Sequence, residues 1–236
     1  MRPWCHRLPA LICCGTVVAS RLIVVTAVLA SLGIVLAVPR QWPLWAVVLL
    51  VLIPWLPLFV AGARWNYRRH HWLVLFYVLV VTQTGHLLEH VAQMLQIHTL
   101  NLTGPQARGV FGALDIEWVH FIWNAWVLVA AGVLLVRFRD NPWLWFTTLF
   151  AAFHLVEHGV MMWIYLRTGV VGSPGLLSLG GAIRGGLPLA RPDLHFVYNL
   201  IETVPLIIAF LWQLRGVSTV TRKLQMTPAH VGPVSR

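Results

Sequence analysis

The sequence predicts an all-α integral membrane protein with six transmembrane helices, the last four forming a tandem repeat of two helix-loop-helix units. Composition is the first observation behind this prediction: 58% of the residues are hydrophobic and only 10% are charged, whereas about a quarter of the residues in soluble domains are charged. The second is the length of the apolar runs, because about 20 apolar residues are needed to cross a bilayer. The third is a duplicated motif that contains histidine and glutamate.

The predicted spans cover most of the chain and leave no separate soluble domain. We place them at residues 22–38, 44–61, 72–97, 117–136, 143–166 and 194–214. The first two are short and bounded by prolines, so their limits are the least well defined of the six. A basic N-terminal segment followed by an apolar run also has the order of a signal peptide, but we interpret it as a retained helix.

The positive charges indicate the orientation of the chain. With six spans, 12 of the 17 Lys and Arg residues fall on the side of the two termini and five on the other side. The positive-inside rule therefore predicts cytoplasmic N- and C-termini for a protein of the plasma or inner membrane. The net charge of +10 reflects this topology and attraction to anionic lipid, and we expect no nucleic-acid partner.

One motif, His-x-x-Glu-His, occurs twice within apolar segments, at residues 86–90 and 154–158. Each copy is followed after a loop by the sequence His-Phe-x-x-Asn, at residues 120–124 and 195–199. Ionisable side chains are costly in the bilayer core, so their duplication in the same arrangement predicts a functional site.

The two sets of motifs define the repeats within a single membrane domain, residues 1–236. Repeat one covers residues 72–136 and repeat two covers residues 143–214. Residues 22–61 form two peripheral helices, and residues 215–236 form a basic cytoplasmic tail. Because both repeats start on the cytoplasmic side, we expect a pseudo-two-fold axis along the membrane normal to relate them.

Long loops rich in glycine and proline separate the two helices of each repeat, at about residues 98–116 and 167–193. Loops of this length are usually functional or disordered, and we expect these two to fold over the outer mouth of the bundle. Arg108 and Arg184, each followed by glycine, occur at similar distances before the second motif. They are expected to pair with a carboxylate or an anionic ligand, or alternatively with lipid headgroups.

Helical periodicity places the polar residues of each motif on one face of its helix, because positions i, i+3 and i+4 share a face. Gln83 and Gln93 extend the first of these polar stripes. Lipid would leave the stripes unsatisfied, so they must face one another or a wet cavity. Counting residues from the predicted helix ends places all four stripes in the outer half of the bilayer.

Converging imidazole and carboxylate groups predict a transition-metal centre, which we expect to be dinuclear. The predicted ligands are His86, Glu89, His90, His120, His154, Glu157, His158 and His195. The two glutamates either bridge the ions or orient histidines from behind. The predicted supporting residues are Asn124, Asn199, Glu202, Glu117, Arg108 and Arg184, with His98 and Asp115 as further candidates.

Iron is the metal we expect, with copper or zinc as alternatives, in an oxidoreductase that acts on a lipophilic substrate or a quinol by oxygenase- or oxidase-type chemistry. A haem b electron-transfer subunit is a different interpretation, in which histidines on facing helices are axial ligands. A non-catalytic metal-binding or assembly subunit of a larger membrane complex and a metal translocator are further alternatives. The almost wholly apolar inner halves of the last four spans argue against translocation.

Overall fold

The computed structural model describes residues 17–37, 40–111 and 117–226, and these residues form helices and loops without a strand. The helices are α1 Val17–Ala37, α2 Leu44–Leu52, α3 Leu56–Arg69, α4 His71–His98, α5 Glu117–Arg137, α6 Pro142–Thr168 and α7 Arg191–Met226. Single 3-10 turns occur at Ile53–Trp55 and Gly104–Gln106. The prediction of an all-helical fold is confirmed for this part of the chain.

Five helical stretches are long and apolar enough to cross a membrane: Leu44–Arg68, His71–His98, Glu117–Arg137, Pro142–Thr168 and Arg191–Gly216. They expose large apolar side chains such as Leu88, Ile122 and Leu149, each at least 60% exposed, which suits a lipid environment. The first predicted span coincides with α1, in which Arg21–Ala37 is a shorter apolar helix. The sixth span therefore stays a prediction.

The second predicted span is longer than expected and contains a 3-10 turn. Pro54 lies in the turn at Ile53–Trp55, and Pro57 lies in the first turn of α3. Proline lacks an amide hydrogen and its fixed φ suits the start of a helix, so each proline ends one helical segment and allows the next. The sequence prediction ended this span at residue 61, where charged residues follow, but the helix continues to Arg69.

Helices α4 to α7 form a closed four-helix bundle. Both α4 and α6 pack against α5 and α7, while α3 packs against α4 from outside and α1 packs against α2. The ends of α4 and α6 and the starts of α5 and α7 lie together with the two long loops; we call this the loop end. His98 at the end of α4 contacts Asp193 at the start of α7 across it, with 2.6 Å between Nε2 and Oδ1.

An apolar core fills the half of the bundle away from the loop end. It includes Phe76, Leu79, Leu134, Leu206 and Phe210, all 1% exposed or less. The rings of Phe76 and Phe210 join α4 to α7 with their centroids 5.3 Å apart. In lipid such packing stabilises a bundle through close van der Waals contact. The polar residues of the motifs are therefore confined to the other half.

The start and end of α6 are set by local residues, and they position its motif. Asn141 caps the helix, because its side chain accepts a hydrogen bond from the Leu144 amide at 3.1 Å. The same side chain donates to the Ala209 carbonyl of α7 at 2.8 Å, which ties the start of α6 to its neighbour. Gly169 ends the helix with a φ of +71°, a conformation that glycine adopts without strain.

Candidate metal centre

Six histidines converge in the loop half of the bundle, in two groups of three. The groups are His86, His90 and His120, named triad A, and His154, His158 and His195, named triad B. Within each triad, one ring nitrogen of each histidine lies within 4.8 Å of the others. The structure thus brings together all six predicted histidine ligands and divides them into two sets.

Each triad takes two histidines from one helix and the third from the next. The ring centroids of His86 and His90 are 4.8 Å apart on α4, and those of His154 and His158 are 4.9 Å apart on α6. This proximity follows from the four-residue spacing, which places both rings on one face. The third histidine comes from the first turns of α5 or α7, because each long loop returns the chain to the loop end.

The two triads touch and form one continuous cluster. His195 Nε2 and His158 Nε2 are 3.1 Å apart within triad B. The rings of His120 and His158, which belong to different triads, stack with their centroids 5.6 Å apart and their planes inclined by 7°. The rings of His90 and His195 also face each other across the two triads, with their centroids 6.2 Å apart.

Several imidazole nitrogens of this cluster have no hydrogen-bond partner, although they are buried. Among the described residues, these are the Nε2 atoms of His86, His90 and His154 and the Nδ1 atom of His158. Leaving a buried polar group unsatisfied costs about 1–3 kcal/mol. Four such nitrogens at one place fit a site at which the ring lone pairs bind a cation.

The Nδ1 atoms of three histidines contact acceptors that fix the orientation of the rings. His90 Nδ1 lies 3.3 Å from Gln93 Oε1, and His154 Nδ1 lies 3.3 Å from Glu202 Oε2. His195 Nδ1 lies 3.1 Å from the backbone carbonyl four residues earlier. When Nδ1–H donates to these acceptors, the lone pair is on Nε2, which is the arrangement found behind metal-bound histidines.

Gln83 connects this support across three helices and is completely buried. Its amide nitrogen donates to Glu202 Oε2 at 3.0 Å and to Asn199 Oδ1 at 3.1 Å. Its amide oxygen accepts from Trp123 Nε1 at 3.0 Å. Gln83 and Gln93 were placed on the polar stripe by the sequence but not among the supporting residues, because spacing alone does not show which acceptors the rings meet.

Aromatic side chains also pack against the first histidine of each triad. The centroid of Trp123 is 5.1 Å from that of His86, and the centroid of Tyr198 is 5.2 Å from that of His154. Sequence reasoning missed both residues as site residues. The sequence could have identified them, because each lies three positions after the histidine of its His-Phe-x-x-Asn motif and so on the same helix face.

The two asparagines of these motifs support the helix that carries the third histidine. Asn124 Nδ2 donates to the His120 carbonyl and Asn199 Nδ2 donates to the His195 carbonyl, each at 2.9 Å. These contacts follow the four-residue spacing of the motif. The two side chains thus bind the backbone of the residue that supplies the third histidine, and their support of a metal centre stays a prediction.

The positions of Glu89 and Glu157 differ from the expectation of a bridging carboxylate. Glu89 Oε1 accepts the Phe111 amide hydrogen at 2.7 Å, and Glu157 Oε1 accepts the Leu176 amide hydrogen at 2.8 Å. Neither carboxylate belongs to a triad. Loop backbone amides need acceptors when they are buried against a bundle, and these two glutamates supply them. Each glutamate thus holds the long loop of its own helical pair through one oxygen, and its role at the metal ions stays a prediction.

Glycines allow the loops to approach these carboxylates closely. Gly109 and Gly175 have φ values of +74° and +66°, which L residues rarely adopt. A β-carbon at Gly109 would collide with Glu89, and one at Gly175 would collide with Glu157. Glycine is required at both positions by conformation and by space.

Replacing Gly175 with alanine is expected to detach the second loop from Glu157. The matched control is Gly169→Ala, which has a similar φ of +71° but open space around its β-carbon. Both substitutions strain the backbone by about 1 kcal/mol, so the difference between them reports the lost contact. We expect Gly175→Ala to lower the unfolding free energy by a further ~1–3 kcal/mol and to speed hydrogen exchange at Leu176. Equal effects of the two substitutions would contradict the loop-holding contact.

Glu117 pairs with an arginine that the sequence did not single out. Arg191 Nη1 and Nη2 donate to its two oxygens at 2.7 and 2.8 Å, and the Gly172 amide donates at 3.0 Å. Arg108 and Arg184 are exposed, and their pairing with a carboxylate, an anionic ligand or lipid headgroups stays a prediction. The sequence could have indicated a role for Arg191 at the site, because Arg191 lies one helical turn before His195.

The remaining candidates are His98 and Asp115. His98, with an exposed side chain, pairs with Asp193 and joins α4 to α7. Asp115 lies outside the described residues.

A cavity of about 530 Å³ opens at the loop end and reaches the cluster. Its lining includes His90 and His120 of triad A and His195 of triad B. Arg108 and Arg191 contribute charged groups to its wall. We call this cavity the loop-end cleft, and it connects both triads with the surroundings of the loops.

Comparison with known proteins adds no relative: the chain matches no known protein family, no curated protein and no solved structure. The class of the protein rests on its fold and site. It is an apolar helical bundle, with helices long enough to span a membrane and two histidine clusters that could hold metal ions.

Proposed function

We propose that this protein is an integral membrane metalloprotein that binds two transition-metal ions, one in each histidine triad, and uses them in redox chemistry. The observation that carries the proposal is the convergence of four buried, unpaired imidazole nitrogens within the two triads. Contacts from Gln93 and Glu202 to the opposite ring nitrogens support it further. A structural role would not require so many buried imidazole nitrogens without hydrogen-bond partners.

The donor set favours copper over iron as the resident metal. Iron was expected because two carboxylates accompany the histidines in the sequence, but Glu89 and Glu157 hold the loops. Three imidazoles at each position suit copper, zinc and iron, and copper binds nitrogen donors most tightly among the common divalent ions. Redox chemistry of the oxidase or oxygenase type on a lipophilic substrate or a quinol requires copper or iron rather than zinc.

Contacts between the rings argue against the haem interpretation. Histidines of different triads stack directly, as His120 and His158 do at 5.6 Å. A flat macrocycle between facing helices would need these rings to be separated. The apolar core below the triads also argues against a translocator, since the described residues provide no polar path through that half of the bundle.

Two further parts of the proposal concern symmetry and orientation. A pseudo-two-fold relation between the pairs α4–α5 and α6–α7 is supported because each pair supplies two histidines from its first helix and one from its second. An outer position of the site is supported by the distribution of the Lys and Arg residues, which predicts that the loop end faces away from the cytoplasm.

Elemental analysis of purified protein tests the proposal. We expect about two copper or iron ions per chain, one for each triad. His158→Ala removes one ligand of triad B and is expected to reduce the content to about one ion per chain. His98→Ala, a surface histidine outside the triads, serves as the control and should leave the content unchanged. Wild-type protein without metal after reconstitution, or unchanged content in His158→Ala, would refute the proposed function.

A further inference from the structure

Two metal ions would bring more positive charge to the cluster than the carboxylates beside it offset. Two divalent ions bring four positive charges, and neutral imidazoles compensate none of them. Glu202 supplies one negative charge beside triad B. Glu89 and Glu157 add two more carboxylates, which accept hydrogen bonds from loop amides, so three of the four positive charges are offset and one remains. Excess positive charge is costly in a medium of low dielectric constant, so an anion is expected to join the ions.

The loop-end cleft is the route by which an anion can reach the ions. Its lining includes His90, His120 and His195, so histidines of both triads border it. Three protein ligands leave at least one coordination position open on each ion. The cleft volume of about 530 Å³ falls within the range of about 300–1,000 Å³ that is typical of small-molecule sites.

The wall of the cleft combines charged groups with apolar surface: two arginines, and the carboxylates of Glu117 and Asp193, which are paired with Arg191 and His98. Arg108 is exposed and lines the cleft from the first loop. Arg191 also lines it, but its guanidinium is engaged by Glu117. Ile97, Leu102 and Val171 provide apolar surface beside these groups. A guanidinium binds oxygen anions well, while the apolar wall accommodates a hydrocarbon or aromatic body.

We infer that the loop-end cleft is the ligand site of the histidine cluster and binds an oxygen-donor anion of the carboxylate or phenolate type. The ligand oxygen completes the coordination of the metal ions beside His90 and His195, and Arg108 contacts the same anionic end of the ligand. This inference rests on the proposed metal centre. The ligand enters from the loop end, because loop and helix-end residues line the cleft.

Cobalt(II) provides a visible spectrum with which to test the inference, since its absorption changes when a ligand joins the metal. Full-length protein loaded with Co²⁺ is titrated with acetate in one arm and with a water-soluble catechol in the other. We expect saturable spectral changes in at least one arm. Binding of acetate alone assigns the site to carboxylates, binding of catechol alone assigns it to phenolates, and either result supports the inference.

Arg108→Gln is the diagnostic variant, and Arg184→Gln is its matched control. Both arginines are exposed and lie on the long loops, but Arg184 is not among the residues lining the cleft. Loss of a charge-assisted hydrogen bond is expected to weaken anion affinity about ten-fold in Arg108→Gln. Arg184→Gln should bind as the wild type does.

The outcomes separate the inference from the proposed function. If Co²⁺ binds but neither anion changes its spectrum, the inference is refuted while the metal centre stands. Equal anion affinities of the two arginine variants would also refute the assigned position of the ligand. If Co²⁺ does not bind, the same titrations are read on the visible absorption of Cu²⁺-loaded protein; if neither ion binds, the proposed function fails and the inference fails with it.

Discussion

Replacing His90 and His158 together with alanine is expected to abolish metal binding by the whole protein. Each substitution removes one of three ligands, so both triads are left with two imidazoles. We expect the metal content after dialysis to fall at least about ten-fold from the wild-type value, as loss of a direct ligand exceeds the 10–100-fold cost of losing a supporting residue. Elemental analysis measures this directly.

Thermal unfolding provides a second measurement on the same double variant. Metal at 100 times its dissociation constant should stabilise the wild type by about 2.7 kcal/mol for each site and should not stabilise the variant. In the metal-free state the variant should be the less stable of the two, because the removed rings leave cavities, so the diagnostic quantity is the increase in stability that metal produces in each protein.

The matched control for the double variant is His71→Ala combined with His98→Ala. These two histidines lie at opposite ends of α4 and outside the triads. This control should retain its metal and its stabilisation by metal. If the control loses metal to the same degree as His90→Ala with His158→Ala, the assignment of the triads as the metal ligands is wrong.

Glu202→Gln is expected to produce the largest effect of any substitution that leaves all six histidines in place. Both Glu202 and His154 are completely buried, and the carboxylate oxygen lies 3.3 Å from the ring nitrogen. A carboxylate behind a metal-bound histidine fixes its tautomer and increases its basicity, and its loss costs about 10–100-fold in affinity. The removed negative charge adds to this loss in a medium of low dielectric constant.

This effect is measured in variants in which only one triad is intact. In a His90→Ala background triad B is the intact site, so the dissociation constant measured there with and without Glu202→Gln reports on triad B. In a His158→Ala background triad A is the intact site, and Glu202→Gln should leave its dissociation constant nearly unchanged. Equal dissociation constants in the first comparison would contradict the supporting role of Glu202.

Much of the fold and the core of the site followed from the chain alone. The apolar runs predicted helices, and four of them coincide within a few residues with α4, α5, α6 and the membrane-length part of α7. The four-residue spacing of His86 and His90 predicted one shared face, and their rings do lie 4.8 Å apart. These features depend on local geometry, which the chain carries in its periodicity.

The contacts of the two long loops could not be predicted from local sequence patterns. Sequence spacing predicted that Arg108 and Arg184 occupy equivalent positions in the two loops. In the structure the equivalent positions are Phe111 and Leu176, whose amides donate to Glu89 and Glu157. The two loops differ in length, so counting along the chain does not align them. Their position on the bundle depends on which buried acceptors their backbone amides reach.

By itself, the sequence determined the helical class, the apolar perimeter and the six histidines, because hydrophobicity and helical periodicity act over short distances along the chain. The tertiary structure decided the division into two triads, the loop-holding role of Glu89 and Glu157, and the pairing of Arg191 with Glu117. These choices depend on which polar groups meet across packed helices. Each buried group must find a partner there, and distance along the chain does not specify which one it finds.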